Sequence, residues 1–439
     1  MRSTIPSPRL LLAAAVLALC AAALLMLGAP ASGHAPSAHV RAAHVRSTHA
    51  PVASAARTPC PDHHPAKRDP SNPLDLPTPP GANPLNGAQF MDPGPARGNY
   101  AAAAIAQLLG VHIKDTSTES WASFEQRLQT GQLHTELADN ASLAKKVDEL
   151  ALIASQPQAQ RISTYSWGGT PSGIFKQTRK VFCQIEASDP GTIPIITTYF
   201  LHPNLHGCPG TAQINGYMPR FKRQIKAMAR ATARHPAVYL LELDAIGSSS
   251  CIARRGALPA WEAALRFEMH AVGRLPHTVV YVEGGYSDSN SVRYTARVLR
   301  AIKVNTIRGF FTNDTHNQWT QHEVRWATKI SRKTHGAHFI VNTSDNGRGP
   351  KLNPHPRYQG VEDLCNPPGR GLGIQDTTDT GFAHADAFMW VHSPGMSGGT
   401  CHGGPPGGFW PAKAEGEASR ANDQLGPSAP SRPYYPPQL

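Results

Sequence analysis

The chain has 439 residues, 40% of them hydrophobic, and a formal net charge of +12. That length excludes a small single-motif module and accommodates one large domain or two ordinary ones. The basic residues are spread along the chain without a recognisable nucleic-acid module, so the charge reads as solubility and adhesion to acidic polymers, with no nucleic-acid partner.

In chain order, Arg2 and Arg9 precede an apolar run from Leu10 to Gly28, and Ala29-Pro30-Ala31 follows with small-x-small spacing. Residues 1–31 therefore read as a secretory signal peptide, with an uncleaved N-terminal anchor as the alternative. Residues 32–82 are rich in Ala, Ser, Pro and His, lack apolar periodicity and read as a disordered linker. The folded domain is expected over 83–421, opening at Asn83-Pro84-Leu85, with a Pro-rich tail over 422–439.

Inside that domain Ile193–Thr198 reads as a strand, and a helix-then-strand unit then recurs. The helix Arg220–Arg234 leads to the strand Ala237–Leu241, and Trp261–Gly273 to Thr278–Val282. Val292–Ile302 leads to Ile307–Phe311, and Glu323–Thr334 to His338–Val341. Short apolar strands alternating with helices predict an α/β fold with a parallel sheet covered on both faces. Each strand runs into polar residues: Tyr199 and His202, Glu242 and Asp244, Glu283, Thr312 and Asn313, then Asn342, Thr343 and Ser344. In a β/α barrel such strand ends converge on one mouth, where catalysis sits.

There are seven cysteines, one of which, Cys20, lies in the apolar run. The six others are an even set, which favours disulfides in an exported chain and permits 15 connectivities. No pair has Cys-x-x-Cys spacing, so neither a metal site nor any other cofactor is implied. No dimer signal is visible, and a monomer is expected.

The motifs along this frame resemble glycoside hydrolase family 6, the cellulases and cellobiohydrolases. Ser155-Gln156-Pro157-x-Ala159 leading to Trp167 looks like a conserved region whose tryptophan lines a glucosyl subsite. Glu242-Leu243-Asp244 looks like the Glu-Pro-Asp segment that carries the proton donor. Tyr281-Val282-Glu283-Gly284-Gly285-Tyr286 is similar to Tyr-Leu-Asp-Ala-Gly-His, and Arg308-Gly309-Phe310-Phe311-Thr312-Asn313 to Arg-Gly-Phe-x-x-Asn. Asn342-Thr343-Ser344-x-Asn346-Gly347-x-Gly349-Pro350 resembles Asp-Thr-Ser-x-Asn-Gly-x-Gly-Pro. The segments Cys365–Gly373 and Trp390–Pro405 give the densest match. The resemblance implies a distorted β/α barrel with fewer than eight strands, and inverting cleavage of β-1,4-glucan. It also implies disulfides pairing Cys208 with Cys251 and Cys365 with Cys401, which leaves Cys60 with Cys183.

Glycoside cleavage requires a carboxylic acid to protonate the leaving oxygen, and inversion requires a second carboxylate roughly 6.5–9.5 Å away to activate water. The expected acid is Asp244, with Glu283, or failing that Asp345 or Asp288, assisting. Trp167, Tyr199, Asn313, Trp319 and His392 are the expected contacts to a β-glucan chain, through aromatic platforms and polar strand ends. The pattern also departs from the family. No aspartate stands beside Cys208, Leu364 replaces a tryptophan, His392 a lysine and Met396 a glutamate, and Gly398 occupies the place of the base aspartate. Two functions follow: a secreted β-glucan hydrolase with a rewired mechanism, or a carbohydrate-binding protein on the same scaffold that has lost turnover.

Overall fold

The computed structural model describes residues 73–75, 81–92, 99–110, 123–351 and 364–426, apart from 125, 129, 166–168 and 189–190. Seven parallel strands form one sheet in sequence order: β1 (Gln160–Ser163), β2 (Ile195–Tyr199), β3 (Ala237–Leu241), β4 (Thr278–Glu283), β5 (Gly309–Thr312), β6 (His338–Asn342) and β7 (Ala385–Met389). Consecutive parallel neighbours joined by crossover helices curl in one sense, and the result is the expected distorted (β/α) barrel. The chain just before β1 meets the chain just after β7 at a backbone hydrogen bond, Ala159 N–H to the Trp390 carbonyl at 3.4 Å.

Strand alternation sorts the core into two layers. Val238, Leu240, Tyr281, Phe311, Ile340 and Met389 point inward and pack together with Ile195 and Val391. Tyr239, Leu241, Val280, Val282, Phe310 and Phe339 point outward beneath the helices. Both faces are buried, which is why these strands read as continuous apolar runs. Gly309 permits the tightest strand contact, because a β-carbon there would lie 1.8 Å from the His338 carbonyl oxygen.

Residues outside 83–421 also pack against the sheet and its helices. Leu74, inside the expected linker, is 8% exposed and packs in the inner layer, and its carbonyl is 3.2 Å from His277 Nδ1. The Asn83 side-chain amide donates to the Asp386 carbonyl and the Ala82 carbonyl accepts from the Arg308 guanidinium, which locks this segment to the N-terminal end of the sheet. At the other end Asn422 is buried and the Leu425 carbonyl accepts the Gln321 N–H at 2.8 Å. No helix among the described residues is long and apolar enough to cross a membrane; the Leu10–Gly28 run lies outside them.

Two disulfides form as expected, Cys208–Cys251 and Cys365–Cys401. The first ties the loop after β2 to the helix Ser249–Arg254. The second ties the segment before β7 to the loop after it. Cys60 lies outside the described residues, and with it the third expected pair.

Candidate active site

A cleft of about 640 Å³ opens where the sheet is left unclosed, between β1 on one side and the loops after β7 on the other. Arg161, Ser163 and Tyr165 line one wall. His392, Met396 and Gly398 line the other, and Asp314, Thr315 and Asp345 close the floor from the ends of β5 and β6.

Asp244 lies just beyond β3, bonded to Asp314 and Thr315 of the cleft lining: the strand ends at Leu241, and Glu242 and Asp244 both take left-handed backbone, φ 53° and φ 64°. Such angles are strained for residues with a β-carbon and persist where surrounding bonds impose them. Here they do. The Asp244 N–H donates to Asp314 Oδ2 at 3.0 Å, and the Asp244 carbonyl accepts from Ser248 Oγ at 2.7 Å and lies 3.1 Å from His202 Nε2. Glu242 fixes the turn from below, accepting the Leu201 N–H at 2.8 Å and the Phe200 N–H at 3.0 Å. On the side chain, Asp244 Oδ1 accepts hydroxyl hydrogens from Tyr286 and, at 2.8 Å, from Thr315. One carboxyl oxygen is therefore anchored twice.

Three carboxyls gather here: Asp244, Asp314 and Glu283. Burial pushes Glu283 well above the usual carboxylate range, and the Asp314 charge adds to it. Asp314 is raised by burial first and then by Asp244. Like charges crowded in a low-dielectric pocket favour protonated forms, so the neutral acids beside Asp244 form a proton-rich environment. Tyr286 is raised for the same reasons, burial and then the Asp244 charge, and stays a hydroxyl donor. Its ring stacks on His316 at 3.7 Å, and His316 Nδ1 is 2.9 Å from Asp288 Oδ1, so Asp288 acts as a buttress for Tyr286.

The other expected site residues divide. Tyr199 stands near Asp244, whose charge adds to burial in raising the phenol, and Arg161 lies over its ring at 5.7 Å. His392 lines the cleft, 3.4 Å from Asp345 Oδ1. Glu283 does not line it: the carboxylate is fully buried and accepts the N–H groups of Gly247, at 3.0 Å, and of Ile246 and Gly285. Its place is under the Asp244 loop, which it shapes. Asn313 is also fully buried and spends its amide on the carbonyls of Gln318 and Asn342. Trp319 packs against Gly349, where a β-carbon would meet its ring at 2.2 Å, and is absent from the cleft lining. Trp167 lies outside the described residues.

Sequence reasoning passed over Asp314, Tyr286 and Thr315. Asp314 and Thr315 directly follow the strand-end pair Thr312-Asn313, so the polar run was longer than the part taken from it. Tyr165, 69% exposed, is also new, and Leu364, noted in the sequence for replacing a tryptophan, is 46% exposed; each is an open apolar surface on the cleft rim.

The glycosyl hydrolases family 6 model matches residues 116–418. Endoglucanase 1 of Streptomyces sp. (strain KSM-9) is 28% identical over 60% of this chain and 69% of its own length. Endoglucanase A of Cellulomonas fimi is 31% identical over 30% of this chain. The match spans 27% of the Cellulomonas fimi protein and 48% of endoglucanase A of Thermobispora bispora. Among solved structures, the endoglucanase Cel6 of Mycobacterium tuberculosis, in complex with methyl-cellobiosyl-4-deoxy-4-thio-β-D-cellobioside, aligns with a TM-score of 0.54 and 29% identity over 65% of this chain and 92% of that one. Endoglucanase CEL6B of Humicola insolens shares the fold at a TM-score of 0.54 and 17% identity, over 79% of this chain and 100% of that chain. With the family model covering most of the folded region, on a seven-stranded barrel, the chain belongs to glycosyl hydrolase family 6.

Proposed function

We propose that this protein hydrolyses β-1,4-glucosidic bonds of cellulose or a related β-glucan, with inversion, and that Asp244 is the general acid. The observation that carries the reading is the half-anchored Asp244 carboxyl, one oxygen held by Tyr286 and Thr315 beside the buried Asp314. Family membership and endoglucanase relatives support the substrate class. A fixed oxygen and a neighbouring neutral acid suit a group that must arrive protonated and let its proton go to a leaving alcohol. Tyr199, Tyr165 and the rim surfaces supply apolar faces for sugar rings.

The test is reducing-sugar release from amorphous cellulose and mixed-linkage β-glucan, with Asp244→Asn beside the parent, and NMR of the first-formed anomer. Release by the parent as the α-anomer, and none by the variant, is expected. A variant as fast as the parent would remove Asp244 from the role. The second reading, a glycan-binding protein without turnover, is favoured by one observation, the glycine at position 398. Binding of both polymers with no release by either protein would establish it. We also place the mature protein outside the cell, on the Leu10–Gly28 run with its Ala29-Pro30-Ala31 site and on the disulfides. An N-terminus mapped near Ser32 in culture medium is the expected result.

A further inference from the structure

We propose that Asp345, held by His392, is the carboxylate that takes the proton of the attacking water, replacing the acid absent at position 398. The proposal rests on the hydrolase reading above.

The loop that should carry the base is intact. Asn366 Oδ1 accepts the Gly398 N–H at 2.8 Å, Asn366 Nδ2 donates to the Gly399 carbonyl at 2.8 Å, and Cys365–Cys401 closes the loop. A β-carbon at Gly398 would meet its nearest neighbours at 3.7–3.8 Å, which is ordinary contact. Space and backbone for a side chain at 398 remain, and the carboxylate there is missing. The basic side chain on the same wall is retained in kind, His392 where the family pattern has lysine, and its Nε2 lies 3.4 Å from Asp345 Oδ1.

Two acids line the described part of the cleft, Asp314 and Asp345. Asp314 bonds the Asp244 backbone, stands on the same side as the acid, and favours its neutral form. It cannot hold a separate water against the far face of the sugar. Asp345 comes from the next strand, β6, and only 6% of it is exposed. Its Oδ1 accepts Ser344 Oγ–H at 3.2 Å beside His392. Burial by itself would raise Asp345, but the His392 charge and hydrogen bond, with Lys413 behind, bring it down to about 2. A carboxylate facing a cleft, with one oxygen fixed by imidazole and hydroxyl partners, is placed to take a proton from a water in that cleft.

The step balances. Asp244 gives its proton to the glycosidic oxygen as the bond from that oxygen to the anomeric carbon breaks. Water oxygen bonds to the anomeric carbon from the opposite face, and the proton it sheds passes to Asp345. Solvent then returns the one proton and removes the other.

The experiment compares the parent, Asp345→Asn, Asp345→Gly, and Gly398→Asp alone and combined with Asp345→Asn. Turnover of cellotetraose is measured together with cellotetraose affinity and the melting temperature. With Asp345→Asn, kcat should fall by roughly 10²-fold or more, the scale of a lost general base, with affinity and melting retained. Azide should restore turnover to Asp345→Gly with an α-glycosyl azide as product, and Gly398→Asp should restore it to Asp345→Asn. An Asp345→Asn enzyme within about threefold of the parent overturns the proposal and leaves the hydrolase reading standing. So does a loss that neither azide nor the carboxylate at 398 repairs, since Asp345 would then be structural. A parent that is inactive until Gly398→Asp is introduced also shows that Asp345 is not the base. If cellotetraose is cleaved by neither the parent nor Gly398→Asp, the hydrolase reading falls, and Asp345 falls with it.

Discussion

Asp244 Oδ1 receives two hydroxyl hydrogens while its backbone N–H and carbonyl are both occupied, so the direction of the carboxyl is set by four contacts from three different strand ends. Removing one should disturb catalysis without disturbing the fold. Tyr286 contributes the hydroxyl and also a stacked ring, and Tyr286→Phe keeps the ring. A hydrogen bond to a charged group contributes about 1.5–3 kcal/mol. If that preference is expressed in the transition state, kcat should drop roughly 10- to 100-fold, with the glucan Kd little changed. Steady-state kinetics on cello-oligosaccharides, with calorimetric binding, would check it; a change confined to KM would place Tyr286 in substrate binding. Thr315→Val should act in the same direction. Both hydroxyls meet at 2.9 Å, so the two losses should not add.

Among the elements, the most constrained is the β5–β6 pair. Gly309 faces the His338 backbone with no room for a methyl group, and Gly309→Ala must push the strands apart. Overpacking typically costs 1–3 kcal/mol, and a backbone clash in a central strand should reach the upper part of that range or exceed it. Urea unfolding of the variant would measure this; an unchanged midpoint would mean that β5 and β6 pair less closely than described. The same comparison explains what the sequence made legible. Strands β2 to β6 were readable because both faces are buried, giving apolar runs such as Ala237–Leu241. The edge strands were not. β1 is half polar, Gln160 and Arg161 lying toward solvent, and β7 carries Asp386 in mid-strand. That acid is stable there because Arg308, Tyr281 and His338 all bond it, a partnership across four strands that no local pattern encodes. The helix Thr211–Thr232 was read only from Arg220, because Gly216 and Pro219 look like breakers, whereas Pro219 sits inside it. At the candidate site, the position of Asp244 just beyond β3 was legible in the sequence. The hydrogen-bond partners of Glu283 and Asn313 were not, because both spend their polar atoms on backbone brought in from other loops.

At the scale of the whole molecule, the buried carboxyls set how stability responds to pH. Burial raises Glu323 to about 7 and Asp376 to about 8. A buried acid of this kind holds its proton in the folded state while the unfolded chain has already released it. Between the unfolded value and the folded one the native state therefore binds more protons, and stability falls as pH rises. The window runs from about pH 4 to about pH 8. Asp386 acts in the opposite sense. Burial would raise it, but the hydrogen bonds from Arg308 and His338 prevail and hold it low, so its stabilisation is present at neutral pH and is lost on acidification below the usual aspartate range. The melting temperature should therefore peak in mildly acid solution and decline toward pH 8. Glu323 isolates one contribution. Its Oε1 accepts the Ser287 N–H at 2.9 Å, which a glutamine oxygen can keep, and its Oε2 is buried without a hydrogen-bond partner. Above pH 7 the buried charge destabilises the fold by roughly 3 kcal/mol, at ~1.4 kcal/mol for each tenfold change in proton affinity. Glu323→Gln should thus raise the melting temperature by several degrees at pH 8 and change it little at pH 5. Scanning calorimetry at both values decides it, since an equal shift at the two pH values would mean that packing, rather than the proton, separates glutamine from glutamate in that pocket.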